Sequence, residues 1–154
     1  MKFVQKPLYL VLKVLSGPDA GRLVEVMAGQ IVYLGRQPSM QKTAAAPAGP
    51  LEVSDEQADR VEQFLAGQSG KTESRPGYRP KLDTFRRLDD VKLLDSTVSR
   101  VHAVVYVEGG RAGVVDLAST NGTSVNGRKV SSASIKPGDQ LQLGNLKIEV
   151  VGLG

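Results

Sequence analysis

The chain of 154 residues contains no cysteine, no tryptophan and a single histidine, His102. The first absence removes disulfides, thiolate chemistry and cysteine-ligated zinc, and a lone imidazole leaves most histidine-based metal sites without ligands. Neither a metal nor a cofactor is expected. Aromatics are scarce, three Phe and four Tyr, so stacking surfaces for nucleic-acid bases are few. Long apolar runs are also missing. Near the start, Lys6, Pro7 and Lys13 interrupt the one candidate well short of the roughly 20 residues of a membrane span. No small-residue cleavage site follows it, so we read no targeting signal and no transmembrane helix, and expect a cytoplasmic setting.

A large excess of one charge is lacking as well. The net +4 divides into +3 over residues 1–36, 0 over 37–94 and +1 over 95–154. No segment is a basic run interleaved with aromatics, so nucleic acid is not an expected partner, nor is a membrane.

What the chain does have is many short β-branched runs between turn residues. Leu8–Leu15, Arg22–Met27 and Gln30–Gly35 form one set; Val91–Leu94, Val101–Val107, Ala112–Leu117, Gln140–Gly144 and Leu146–Val151 form another. In the last two, Leu141, Leu143, Leu146, Ile148 and Val150 alternate with Gln142, Lys147 and Glu149, as strands with one buried face require. Asn121-Gly122, Asn126-Gly127 and Pro137-Gly138 supply turns that accept positive φ. The pattern predicts an all-β sandwich, with residues 1–154 as a single domain.

Residues 37–90 break the pattern and read as an insertion. Its Pro-, Gly-, Ser- and Ala-rich stretches, Ala44–Pro50 and Gly67–Pro80, read as flexible. Between them, Ser54 and Gln57 form a capping box, with Ala58, Val61 and Leu65 on one face and Phe64 beside it, predicting a short helix near 54–66 ended by Gly67. A helix of about three turns needs a docking surface to be stable. The hexapeptide Gly67–Thr72, GQSGKT, is no phosphate loop: that motif needs a glycine five residues before Gly70, where Leu65 stands, and a preceding strand.

Ser99, Arg100 and His102 stand within four residues. On a regular strand Ser99 and His102 would face opposite ways, roughly 10 Å apart along the chain, whereas a nucleophile and its base need about 3 Å. No G-x-S-x-G elbow surrounds Ser99, although Asp95 or Asp116 could stand as a third member. No catalytic residue is assigned. The alternative is a set of loops presenting polar groups from one end of a sandwich: Gly35-Arg36 closing one strand, Ser99-Arg100 preceding another, and Ser119–Gly127 following a third. Two guanidiniums, two hydroxyls and an amide suit a phosphate on a peptide, with Arg for the charge and Asn for main chain.

In order, LGRQP (Leu34–Pro38), STVSRVHAVV (Ser96–Val105), DLASTNGTSVNG (Asp116–Gly127) and PGDQLQLG (Pro137–Gly144) resemble the signatures of the forkhead-associated (FHA) domain. The resemblance covers residues 8–36 and 91–151. It implies an FHA-like β-sandwich of about eleven strands that binds phosphothreonine through loops at one end, without catalysis, with a Ser/Thr kinase or its substrate as partner. Arg36 would then pair with the phosphate, Ser99 would give its hydroxyl and N–H to phosphate oxygens, Thr120 would shape the pocket, and Asn121 would hold the peptide backbone. Arg100 would contact phosphate or peptide, and Thr97 would lie in the loop that selects the side chain three residues after the phosphothreonine. Gly35, His102, Gly122 and Asn126 would be structural supports. The long insertion departs from the family, and Thr43, Thr72 or Thr84 in it could be phosphorylated and dock in such a pocket. A second reading keeps the fold but makes it a structural assembly module that binds an unphosphorylated partner.

Overall fold

The computed structural model describes residues 9–37, 51–69, 81–108 and 110–152. Among these described residues, twelve strands, one helix and one short 3-10 turn follow in the order β1 (Tyr9–Val14), β2 (Leu23–Met27), β3 (Gln30–Arg36), α1 (Asp55–Ser69), the turn Leu82–Thr84, β4 (Arg86–Arg87), β5 (Val91–Leu93), β6 (Ala103–Glu108), β7 (Arg111–Asp116), β8 (Thr123–Val125), β9 (Arg128–Val130), β10 (Ser132–Ile135), β11 (Gln140–Leu143) and β12 (Leu146–Gly152). They form two sheets, β2-β1-β12-β11-β8-β9 and β10-β7-β6-β3-β4, with β5 also on β3.

Alternation explains the first sheet. Leu141, Leu143, Leu146, Ile148 and Val150 are all buried, while Lys147 and Glu149 between them face out. Together with Leu10, Leu12, Val32, Leu34, Val105 and Val114, they fill the space between the sheets. Each such side chain contributes roughly 1.5–3 kcal/mol of burial.

The second sheet is apolar on both faces, since every residue of β6 from Ala103 to Val107 is buried. Its outer face carries a second core in which Ile31, Tyr33, Val104, Tyr106 and Val115 meet Leu51, Val61 and Leu65, with Phe64, Leu82 and Phe85 at the margin. Tyr106 lies across from Gly113 in the β6–β7 register, and a Cβ on that glycine would stand 2.6 Å from the ring. Phe64 and Phe85 meet the ring edge-on at 6.0 and 5.7 Å. Burial, with the charge of Glu108, pushes the Tyr106 phenol up to about 12.

Part of the insertion therefore docks as a third layer. Helix α1 begins at the capping box, Ser54 N–H donating to Gln57 Oε1 at 2.9 Å and Gln57 N–H to Ser54 Oγ at 3.1 Å. It passes through Gly67 to Ser69, beyond the end expected near 66. The buried Glu62 carboxylate accepts the N–H groups of Lys81 (2.9 Å) and Leu82 (2.6 Å), tying α1 to the 3-10 turn. Asp90 accepts from Leu51 N–H at 2.6 Å and from Arg87, whose guanidinium also donates to Leu51 O and covers the Tyr33 ring at 4.4 Å. β4 and β5 then pair in parallel with the two ends of β3. Thr43 and Thr72 lie outside the described residues. Thr84 is exposed beside the β4 end of β3, remote from Arg36 at the other end of that strand.

Candidate functional site

Three connections meet at one end of the second sheet: the close of β3, the turn 95–102 before β6, and the loop 117–122 between β7 and β8. Backbone bonds join the first two, His102 N–H to Leu34 O at 2.9 Å and Arg36 N–H to Ser99 O at 3.0 Å. Gly35 makes this approach possible, because a Cβ there would stand 2.1 Å from the Arg100 carbonyl oxygen and 2.9 Å from Leu51 Cδ1. Leu51 of the insertion thus packs against the residue beside Arg36.

His102 joins the second connection to the third. Its Nδ1 accepts the Ser99 N–H at 2.9 Å, so Nε2 carries the proton and donates to Gly122 O at 2.9 Å. Burial lowers its pKa; the bond to Gly122 and the charge of Asp116 oppose this without overcoming it. The buried ring is a neutral strut. This corrects the expected strand geometry, because residues 99–102 form a turn and the strand starts at Ala103. It also corrects the expectation for the Ser99 N–H, which is already engaged by the imidazole. The Ser99 hydroxyl does not bond the ring either: it accepts the Thr120 N–H at 2.9 Å and keeps its own proton to donate.

Asn121 Nδ2 donates to Thr97 O at 2.8 Å, leaving Oδ1 and a second N–H for a ligand. Thr97 itself turns inward, its hydroxyl donating to Asp95 Oδ1 (2.6 Å) and accepting from Asn145 N–H (2.8 Å). The hydroxyl thus both donates and accepts within the protein, and Thr97 holds its loop from within. Gly122 has φ +87°, receives the Gly144 N–H on its carbonyl at 3.0 Å, and donates its own N–H to Ser119 Oγ at 3.0 Å. Asn126, at φ 52°, lies apart from this cluster: it bonds Asp139 Oδ1 and the Gln140 N–H, both at 2.9 Å, and so ties the β8–β9 turn to the one before β11.

Sequence reasoning weighs Asp116 only as the third member of a triad and gives Ser119 no role of its own. Asp116 Oδ1 accepts the hydroxyls of Ser119 (2.5 Å) and Thr123 (2.7 Å), which shapes the whole third loop. The signal was available, since an Asp followed by Ser three residues later is a local side-chain turn pattern.

Arg36, Ser99, Thr120 and Asn121 therefore share one rim, linked through adjacent hydrogen bonds, with Arg100 exposed beside them. Among the described residues, the Arg36 and Arg100 guanidiniums make no ion pair. Such a rim offers cations, a free hydroxyl proton and a half-satisfied amide. Among the described residues no cluster of three or more His, Asp or Glu is placed to hold a metal, and no helix is long and apolar enough to cross a membrane.

The profile of the FHA domain family matches residues 86–144. The glycogen accumulation regulator GarA of Mycolicibacterium smegmatis is 46% identical over 72 residues, 47% of this chain and 41% of that protein. The chain thus spans less than half the length of that relative. The oxoglutarate dehydrogenase inhibitor of Corynebacterium efficiens is 35% identical over 115 residues, 74% of each chain. A structure solved in a study of phosphothreonine-dependent FHA domain interactions shares the fold, with a TM-score of 0.52 at 22% identity over 93% of this chain and 95% of that one.

Proposed function

Because this chain belongs to the FHA domain family, we propose that it is a phosphothreonine-dependent protein-binding adaptor in Ser/Thr kinase signalling, without catalysis of its own. The observation that carries the reading is the rim itself, where Arg36 is joined to Ser99, and Ser99 to Thr120, by single hydrogen bonds. Arg36 meets the phosphate charge, the Ser99 hydroxyl donates to a phosphate oxygen, and the free amide groups of Asn121 hold the peptide backbone. Arg100 adds charge from the exposed side, and Thr120 closes the pocket. Gly35, His102 and Gly122 fix the distances between these groups. The partner is a phosphothreonine-bearing segment of a kinase or of its substrate. Residues 1–154 act as one domain with 37–90 inserted, in the cytoplasm.

Phosphoserine lacks one methyl, whose burial is worth about 0.8 kcal/mol, so phosphothreonine is preferred several-fold from transfer alone. The test is calorimetric titration of phosphothreonine, phosphoserine and unphosphorylated peptide pools into wild type and Arg36→Ala. Removing the guanidinium leaves a desolvated phosphate unpaired, a loss of roughly 2–5 kcal/mol, so binding should fall below detection. The thermal midpoint should move only a few degrees, because Arg36 is partly exposed and forms no ion pair among the described residues. Retained affinity would overturn the pocket assignment, and binding of the unphosphorylated pool alone would favour an assembly module.

A further inference from the structure

Lys129 lies in the middle of β9, opposite Ser124 in the β8–β9 hairpin. Its stem crosses the α-carbon of Gly122: a Cβ on that glycine would stand 2.6 Å from Lys129 Cε, 3.4 Å from Cδ and 3.3 Å from Nζ. Gly122 already uses its N–H and carbonyl on Ser119, His102 and Gly144, and the lysine stem covers the face that remains. Lysine lays its methylenes on such a surface and keeps its ammonium in water.

That ammonium makes no ion pair among the described residues. The carboxylates of the adjoining loops are engaged with other donors: Asp95 accepts from Thr97, and Asp116 from Ser119 and Thr123. Gly122 directly follows Asn121, so the lysine stem lies against the residue next to the amide assigned above to the peptide backbone. An extended peptide advances about 3.3–3.6 Å per residue. One anchored by its phosphate at Arg36 and by its backbone at Asn121 therefore carries its next side chains past Lys129.

The geometry points to Lys129 as a specificity-determining residue, favouring phosphothreonine peptides with an aspartate or glutamate within about three residues of the phosphothreonine. This inference rests on the phosphothreonine reading above. It is separable from that reading, since Lys129 touches none of Arg36, Ser99 or Thr120 in the bonds that build the rim.

The experiment is fluorescence anisotropy with phosphothreonine peptides carrying Asp, Ala or Lys at each of the three positions on either side. The proteins are wild type, K129M, K129R and K129E. Wild type should bind the Asp peptide about two- to five-fold more tightly than the Ala peptide at one of these positions, the range of an exposed ion pair. The preference should shrink with added salt. K129M keeps an unbranched stem over Gly122 and should lose the preference while still binding the Ala peptide; K129R should retain it, and K129E should turn it towards Lys. If K129M fails to fold, the contrast of K129R with K129E carries the test. Equal affinity of wild type for Asp and Ala peptides at every position, or an unchanged preference in K129M or K129E, overturns the inference alone. Failure of wild type to bind any phosphothreonine peptide overturns the adaptor reading and this inference with it.

Discussion

Leu65→Ala tests whether the inserted helix is part of the folded unit. Leu65 is fully buried in the outer core, near the C-terminal part of α1. Truncating a leucine in such a site costs about 2–5 kcal/mol, a transfer loss plus the cavity left behind. For a domain of this length each kcal/mol moves the thermal midpoint by about 2–4 °C, so a mid-range loss of about 3 kcal/mol lowers it by roughly 6–12 °C. Circular dichroism, read at one wavelength for helix and another for sheet, should show a single displaced transition, with the urea m-value unchanged. Gln63→Ala, on the exposed side of the same helix, should stay within about 0.5 kcal/mol of wild type. A Leu65→Ala midpoint within about 2 °C of wild type, or helix signal lost before the sheet melts, would refute the claim that α1 and the sandwich fold as one.

His102 predicts a pH dependence whose sign follows from its neutral state. The unfolded imidazole titrates near 6.5 and the folded one lower, so below about 6.5 the unfolded chain takes up a proton that the native ring resists, and stability falls as pH falls. Urea midpoints of wild type and His102→Gln should diverge least at acid pH and most above 7; parallel curves would remove the imidazole from the explanation. Gly35→Ala forces a Cβ to 2.1 Å from the Arg100 carbonyl, costing about 1–3 kcal/mol and weakening phosphopeptide binding as Ser99 shifts. Unmoved amide signals for residues 99–101 would show that the contact is not tight. Gly113→Ala should drive Tyr106 off its seat at a similar cost, and an unchanged near-ultraviolet tyrosine signal would contradict that packing.

The strands with one buried face were legible from alternation, as β11 and β12 show, and α1 from its capping box. β4 was hidden because it is two exposed arginines whose only strand-like property is pairing with β3. β8, β9 and β10 were hidden because each is only three or four residues long and interrupted by Thr, Ser, Lys or Arg, and their pairing, β8 with β9 across the Asn126-Gly127 turn and β10 with β7, leaves no apolar alternation to read. The docking of α1 left a trace that could have been read: the unbroken apolar run of β6 implies a cover on both faces. At the site, the convergence of Arg36, Ser99, Thr120 and Asn121 was legible through order and resemblance. The engagement of the Ser99 N–H and of the Thr97 hydroxyl was not, because both depend on a turn whose shape is set by Asp95 and His102.

The carbonyl of Gly122 receives one donor from His102, ahead of β6 in the second sheet, and another from Gly144, between β11 and β12 in the first. A single oxygen is thus the hinge pin where the two halves of the sandwich are fastened at the rim. Any ligand that clamps this rim resists relative sliding of the halves, and its occupancy should be readable at a distance, as slower amide exchange in strands β1 and β12 that it never touches.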